Sequence, residues 1–381
     1  MRTLILAAAL AVAAGPATAQ RHQITINAET PEGQLLQQIG QEADEAKKLA
    51  LMEKFVAEHP KHEGMAWVLE QMVPAYVKAN QFDKAMDAGE KLLALDPQDL
   101  ETAHQALKAA EGKKDPAAVI KWAGRTSEAA RKVAQTPKPK EEDEAEAWKT
   151  TVEHARQLDV YTEYSLYAAA LQTADPKTRI QLIDALDQRN PQSQYMPQLA
   201  NPRFVAYLQA GDTAKAIAVA EKVLETDQSN EDMLLTVADS YRIGKKDPQK
   251  VLDLCAKALE VLKSKPKPAG ISDADWEKRR TQLSGRAQWM TGLVHASQGR
   301  WTQADQALRA ALPGLQDSQA MTAETLFYLG LANFRLGEKD CEPERILAAV
   351  KFTKESAAIQ SPYQAPARTN LKAFQSKCVV R

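Results

Sequence analysis

The chain has 381 residues, with 49 Lys plus Arg against 50 Asp plus Glu. A formal charge of −1 excludes the broad basic footprint that nucleic acid or an anionic membrane would require. Apolar residues at 44% and charged residues at 26% are the mix of a folded soluble protein, not a disordered one. Sixteen glycines, about 4% against a usual ~7%, leave few positions for phosphate-cradling loops, and the Ala-, Leu-, Lys- and Glu-rich remainder points to helices.

The first residues read as an export leader. Met1-Arg2 is a short positive start, Leu4 to Ala14 an uncharged apolar core, and Gly15-Pro16 a helix break. Ala17-Thr18-Ala19 has the small-x-small pattern that signal peptidase reads. The apolar run is shorter than the ~20 residues of a spanning helix, so residues 1–19 are expected to be cleaved rather than retained as an anchor. No cysteine sits at the cut, which argues against a lipoprotein. No later segment is apolar enough to span, and a periplasmic or secreted location is expected.

Beyond the leader, proline and glycine punctuate at intervals near ~35 residues, with helical periodicity between them. From Gln81 to Pro97, Phe82, Ala85, Met86, Gly89, Leu92 and Leu93 fall on one face of a helix that Asp96-Pro97 closes. The helix before it carries Trp67, Leu69, Met72, Val73 and Tyr76, and Asn80-Gln81 makes the turn. Strand signals are almost absent, so an all-α fold is expected.

Leu69, Met72, Tyr76, Phe82, Ala85 and Pro97 resemble the tetratricopeptide repeat, a ~34-residue helix–turn–helix unit. Gly292, Gly299, Trp301 and Ala304 match the same pattern, as do Leu326, Leu329, Gly330 and Gly337. Small residues let paired helices approach, aromatics fill the gap, and proline stops the second helix. A degenerate first unit carries Leu35, Leu36, Phe55 and Pro60. The resemblance, to an exported bacterial member of this family, implies an α-solenoid of about eight helix pairs between Thr30 and Gln360. A helix near Tyr363 to Ser376 would cap the array.

A longer period overlies the short one. Ala75-Tyr76-Val77-Lys78-Ala79 returns as Ala206-Tyr207-Leu208-Gln209-Ala210, and Gly112-Lys113-Lys114-Asp115-Pro116 as Gly244-Lys245-Lys246-Asp247-Pro248. Pro137-Lys138-Pro139 returns as Pro266-Lys267-Pro268, and Trp148 aligns with Trp276. Because even the Pro-Lys-Pro insertion keeps step, a tandem duplication is expected. Residues 20–62 form a degenerate pair, 63–192 a first module, 193–318 its duplicate, and 319–381 a final pair with its cap. Each insertion precedes a long helix, about Glu142 to Gln172 and about Ser272 to Gln298, whose N-terminal half must overhang the stack or pack along its flank. The acidic run Glu141 to Glu144 suits a helix N-terminus; the alternative is an acidic docking surface.

Catalytic patterns are not found. The chain has no nucleophile elbow, Walker loop, dinucleotide fingerprint, zinc-protease motif or Cys-x-x-Cys pair, and no cofactor or metal is expected. His59-Pro60-Lys61-His62 is the only histidine cluster, and its position at a helix end fits an ordinary polar turn better than a metal site. Of the three cysteines, Cys255 lies on an apolar helix face and is expected to be a buried free thiol. The antiparallel path of the last helices brings Cys341 and Cys378 to one end of the stack, where a disulfide is expected and two free thiols are the alternative.

The resemblance also implies function. Tetratricopeptide arrays are interaction scaffolds whose first helices line a concave groove, through their second, fifth and ninth positions. In this register the groove residues are Trp67 and Glu70, then Glu101, His104 and Lys108, then Tyr161 and Tyr164. Gln198 and Asn201 follow, then Asp232 and Asp239, Arg286 and Trp289, and Glu324 and Phe327. Each aromatic among them is either a groove residue or a core residue in a shifted register. The reading that follows is a non-enzymatic exported scaffold for a protein or peptide of the cell envelope. A small-ligand or glycan binder stacking on Tyr161, Tyr164 and Trp289 is the alternative, and a hydrolase with an unrecognised site the third possibility.

Overall fold

A computed structural model describes residues 21–378 of the chain; the expected leader lies outside the described residues. Among these residues the fold is all-α: seventeen α-helices and one short 3₁₀ turn. None of the helices is long and apolar enough to cross a membrane. The chain divides into two compact units, residues 1–206 and 207–381.

The first unit holds α1 (Pro31–Gln41), α2 (Glu45–Glu58), α3 (Met65–Lys78), α4 (Phe82–Leu95), α5 (Leu100–Lys113), α6 (Pro116–Ala134), α7 (Glu142–Gln172), α8 (Pro176–Arg189) and most of α9 (Met196–Gln209). Local chemistry sets where these helices begin. Thr30, Asp44, Asp99, Asp115 and Asp175 each accept a hydrogen bond from an amide of the first turn, and Pro31, Pro116 and Pro176 supply a fixed φ at its start. Successive helices pair antiparallel, and the apolar stripe of each is buried between neighbours. Leu69, Met72, Tyr76, Ala85 and Leu92 lie in one such core with Leu36, Met52 and Phe55. Trp122, Leu166, Leu182 and Ile183 lie in the next.

The second unit holds α10 (Thr213–Leu224), α11 (Glu231–Ile243), α12 (Pro248–Ser264), α13 (Asp273–Ser297), α14 (Trp301–Ala311), α15 (Gln319–Gly337), α16 (Pro343–Ala358) and the capping helix α17 (Gln364–Lys377). A Cβ on Gly292 would lie 2.5 Å from the Leu308 side chain, so glycine is what lets α13 meet α14. A second close approach has no counterpart in the repeat pattern: a Cβ on Gly285 would lie 2.7 Å from the Gly314 Cα, in the turn that follows α14. Between α14, α15 and α16 the buried Asn333 donates to Asp305 (2.7 Å) and to the Leu329 carbonyl (2.9 Å). Arg309 and Arg345 also donate to Asp305, at 2.8 and 3.2 Å. The buried Asp305 and Asn333 are both partnered, the condition under which buried polar groups fix one packing arrangement instead of destabilising it.

Helices of the two expected modules keep the spacing of the long sequence period. The pairs α3 and α9, α4 and α10, α5 and α11, and α7 and α13 begin at residues 65 and 196, 82 and 213, 100 and 231, and 142 and 273, each 131 apart. The backbone repeats with them: Asn80 and Gly211, then Lys114 and Lys245, occupy the left-handed region at the same spacing. The division between the compact units falls inside α9, between Ala206 and Tyr207. Arg203 ties that helix back to α8, donating to Asp184 and Asp187 at 2.5 and 2.8 Å.

The long α7 both overhangs and packs. Most of its first ten residues are exposed, although Trp148 donates to the Thr136 carbonyl at 3.0 Å. From Val152 onward it lies against α6, where Ala155 and Leu158 share a core with Leu100, Ala129 and Ala130. Its counterpart α13 buries Trp276 near its start. His59 and His62 serve the turn after α2: both rings pack against Phe55, and His62 Nδ1 accepts from the Gly64 amide at 2.9 Å.

Candidate functional site

In the first unit, residues expected on the groove form a connected surface across α5, α7 and α9. Glu101 sits between His104 and His154, its carboxylate 3.7 and 3.8 Å from their nitrogens, and accepts from the Gln105 amide at 2.7 Å. The His104 ring meets Tyr161 edge-on at 5.4 Å. Tyr161 leads to Tyr164 at 6.3 Å, and Tyr164 contacts Tyr167 and Tyr195, which stack on each other at 4.9 Å. The Tyr167 hydroxyl donates to Gln198 at 2.7 Å, while Lys108 and Asn201 lie exposed. Tyr167 and Tyr195 were missed: the first is off the expected register and the second lies in the α8–α9 turn.

Tyr164 is the accessible member of this run at 47% exposure, whereas Tyr161, Tyr167 and Tyr195 are half-buried. Beside it opens a concavity of about 340 Å³, bounded by Tyr161, Tyr164 and Ser165 of α7 and by Glu111 and Lys114 at the end of α5. The Tyr161 hydroxyl donates to Glu111 at 2.7 Å; burial, then that carboxylate, pushes its pKa up and keeps the phenol a protonated donor. Its lining mixes the charged Glu111 and Lys114 with two tyrosine rings and the small apolar Val119, Ala168 and Ala169, a composition that suits a chain or ring lying against it. Two smaller concavities run along α6, but their cations are already paired, Arg125 with Glu90 and Lys132 with Glu128.

The His104 ring beside it holds the Glu101 carboxyl down at about 2, against the opposing effect of burial, with Gln105 and His154 adding to the shift. A carboxyl depressed from an ordinary 4.5 contributes stability that is fully present above that pH and is lost as pH falls through about 2. Glu101→Gln is therefore expected to be less stable than the wild type at neutral pH, with the gap closing between pH 4.5 and pH 2. Denaturant midpoints of both proteins across that range test it, and a pH-independent gap would contradict it.

Not every expected groove residue is accessible. His104 is buried by Tyr161 and by its own helix packing, and Trp289 is only 5% exposed. The Arg242 guanidinium covers the Trp289 ring at 4.5 Å, and its Nε1 donates to Glu324 at 3.2 Å. Around it, in the second unit, the other expected residues form a closed network. Asp239 accepts from Arg242 and from Arg286 at 2.9 and 3.2 Å, Glu324 also accepts from Tyr363, and Phe327 packs on Tyr363 at 5.2 Å. Asp232 pairs with Arg279. Trp289 is thus a core ring, not a stacking platform. Arg242 and Tyr363, which close the network, lie at a helix end and in a turn, outside the repeat register.

Trp67 and Glu70 meet something the sequence did not indicate. Residues 22–27 have no regular secondary structure, and the Glu70 carboxylate accepts from two successive amides, Arg21 at 2.8 Å and His22 at 3.2 Å. Trp67, half-buried, packs against the neighbouring core together with Ile24.

No family model matches the chain. No curated protein matches it either. Solved structures similar to it include that of the P58(IPK) TPR domain, 13% identical, covering 91% of this chain and 88% of that one with a TM-score of 0.31. Another is yeast Tom70, 10% identical, covering 92% of this chain and 96% of that one with a TM-score of 0.23. Likeness at this level carries no argument about function, and the helix-pair assignment stands on the packing described above.

Proposed function

We propose that the chain is a non-enzymatic exported scaffold that holds a protein or peptide partner of the cell envelope against the tyrosine surface of its first unit. The observation that carries this is the exposed Tyr164 ring, backed by Tyr161, Tyr167 and Tyr195 and set beside the 340 Å³ concavity. An aromatic already held by its neighbours loses little rotamer freedom when a partner covers it, which is why such rings dominate interface energetics. Export is supported by the leader pattern of residues 1–19 and by the bond between Cys341 and Cys378, since disulfides persist in oxidising compartments.

In-cell crosslinking of the tagged protein, followed by mass spectrometry, tests the proposal. A reproducible partner is expected, with capture falling about tenfold or more in Tyr164→Ala. Helix content and melting should stay unchanged, because the ring is half exposed. Undiminished capture by Tyr164→Ala would remove the tyrosine surface from the reading. The polar rim of Glu111 and Lys114 beside an open ring also suits a saccharide. That reading instead predicts saturable thermal stabilisation by envelope glycan fragments, absent in Tyr164→Ala.

A further inference from the structure

The non-helical segment at residues 21–24 is held the way a receptor holds a peptide. One carboxylate, Glu70 on α3, receives two consecutive backbone amides. A second, Asp96 at the end of α4, receives the Arg21 guanidinium through two nitrogens, Nη2 at 3.1 Å and Nε closer still. The His22 ring lies between them, Nδ1 3.4 Å from Glu70 and Nε2 3.3 Å from Asp96. Ile24 then packs onto the core of α1 to α4. Backbone amides read by a carboxylate are indifferent to side-chain identity, whereas the forked contact to Asp96 selects a guanidinium. The segment touches the body through the polar contacts of Arg21 and His22 and through the Ile24 side chain, so its detachment exposes little apolar surface.

We propose that Glu70 and Asp96 form a receptor for a basic peptide segment, and that residues 21–24 occupy it in cis until such a peptide displaces them. The receptor lies on α3 and α4, and the proposal does not depend on the tyrosine surface of α5 and α7. The partner it fits is a non-helical segment with an arginine, a following residue whose amide is free, and an aliphatic side chain two positions further on.

The test uses a fluorescein-labelled peptide of this chain's residues 20–27 and the exported form of the protein. A variant lacking residues 20–24 is expected to bind the peptide saturably. The intact protein should bind it at least ~10-fold more weakly, because the tethered segment competes at high effective concentration. Adding Glu70→Gln and Asp96→Asn to the truncated variant should abolish binding. Full-length Arg21→Ala/His22→Ala, which retains Ile24, guards against a truncation that misfolds, and should bind the peptide better than the wild type. In the intact protein, hydrogen exchange at the Arg21 and His22 amides should be slow and should accelerate when excess peptide is added. The proposal is overturned if neither opened variant binds, or if binding survives the loss of both carboxylates. A dimer that disappears on truncation would overturn it too, by assigning the receptor to a second copy of the segment.

Discussion

Trp289→Ala is expected to destabilise the second unit by about 3–5 kcal/mol, the cost of emptying a buried tryptophan site. The ring is 5% exposed, capped by Arg242 and hydrogen-bonded to Glu324. Its removal leaves a cavity and takes one donor from a carboxylate that retains Tyr363. Trp289→Phe separates the two contributions: it keeps most of the apolar volume and removes only the N–H, so a smaller loss of about 1–2 kcal/mol follows. Tyr164→Ala, in the first unit, should stay within about 0.5 kcal/mol of the wild type. Urea denaturation followed by circular dichroism measures all three. A Trp289→Ala protein within 1 kcal/mol of the wild type would return that ring to the surface, as a stacking platform.

The contrast between those two aromatics marks what the sequence could and could not reveal. Helix limits were legible because they depend on neighbours in the chain: Asp96-Pro97 closes α4 after Leu95, and α7 runs from Glu142 to Gln172 behind the Pro-Lys-Pro break. The long period was legible for the same reason, since Pro137-Lys138-Pro139 and Pro266-Lys267-Pro268 stay in step between helices whose first residues are also in step. A repeat register assigns a residue to a helix face, and on that level Tyr164 and Trp289 are equivalent. Accessibility is decided by what the neighbouring helices place above that face. Arg242 and Tyr363 cover Trp289 and its hydrogen-bond partner, while nothing comparable covers Tyr164.

The contacts that escaped the sequence share one property: they join residues far apart in the chain without a period. Arg21 reaches Asp96 across 75 residues, and the Gly285–Gly314 approach and the Asp305–Asn333 group are pairings of single residues that leave no stripe. Periodicity reports burial averaged over a helix face, and a charge pair or a glycine contact adds nothing to that average. For this reason the architecture was within reach and the occupancy of its surfaces was not. Glu70 is the clearest instance. The repeat register placed it on the groove, and the Arg21-His22 segment lies on it.

Breaking the bond between Cys341 and Cys378 should cost about 4 kcal/mol in the chain-entropy account, because it closes a loop of 37 residues spanning α16 and α17. The effect should be concentrated at the capping helix. In the reduced protein α17 remains docked through Phe374, stacked on Phe334 at 3.9 Å, and through Lys377, paired with Glu338 at 2.7 Å. Those contacts are few, and a terminal helix without its covalent tie opens at low free energy. Reduction, or Cys378→Ser, is therefore expected to accelerate amide exchange in α17 most, with a smaller change in α16 and none in the first unit. Cys255 does not offer an alternative partner: burial pushes its thiol up to about 12, so it lacks the thiolate that exchange requires. Thiol titration of the unfolded, unreduced protein should accordingly find one free group, and three would mean that the pair is not bonded. If reduction leaves both the melting temperature and the exchange of α17 unchanged, packing alone holds the cap, and the bond contributes nothing to its stability.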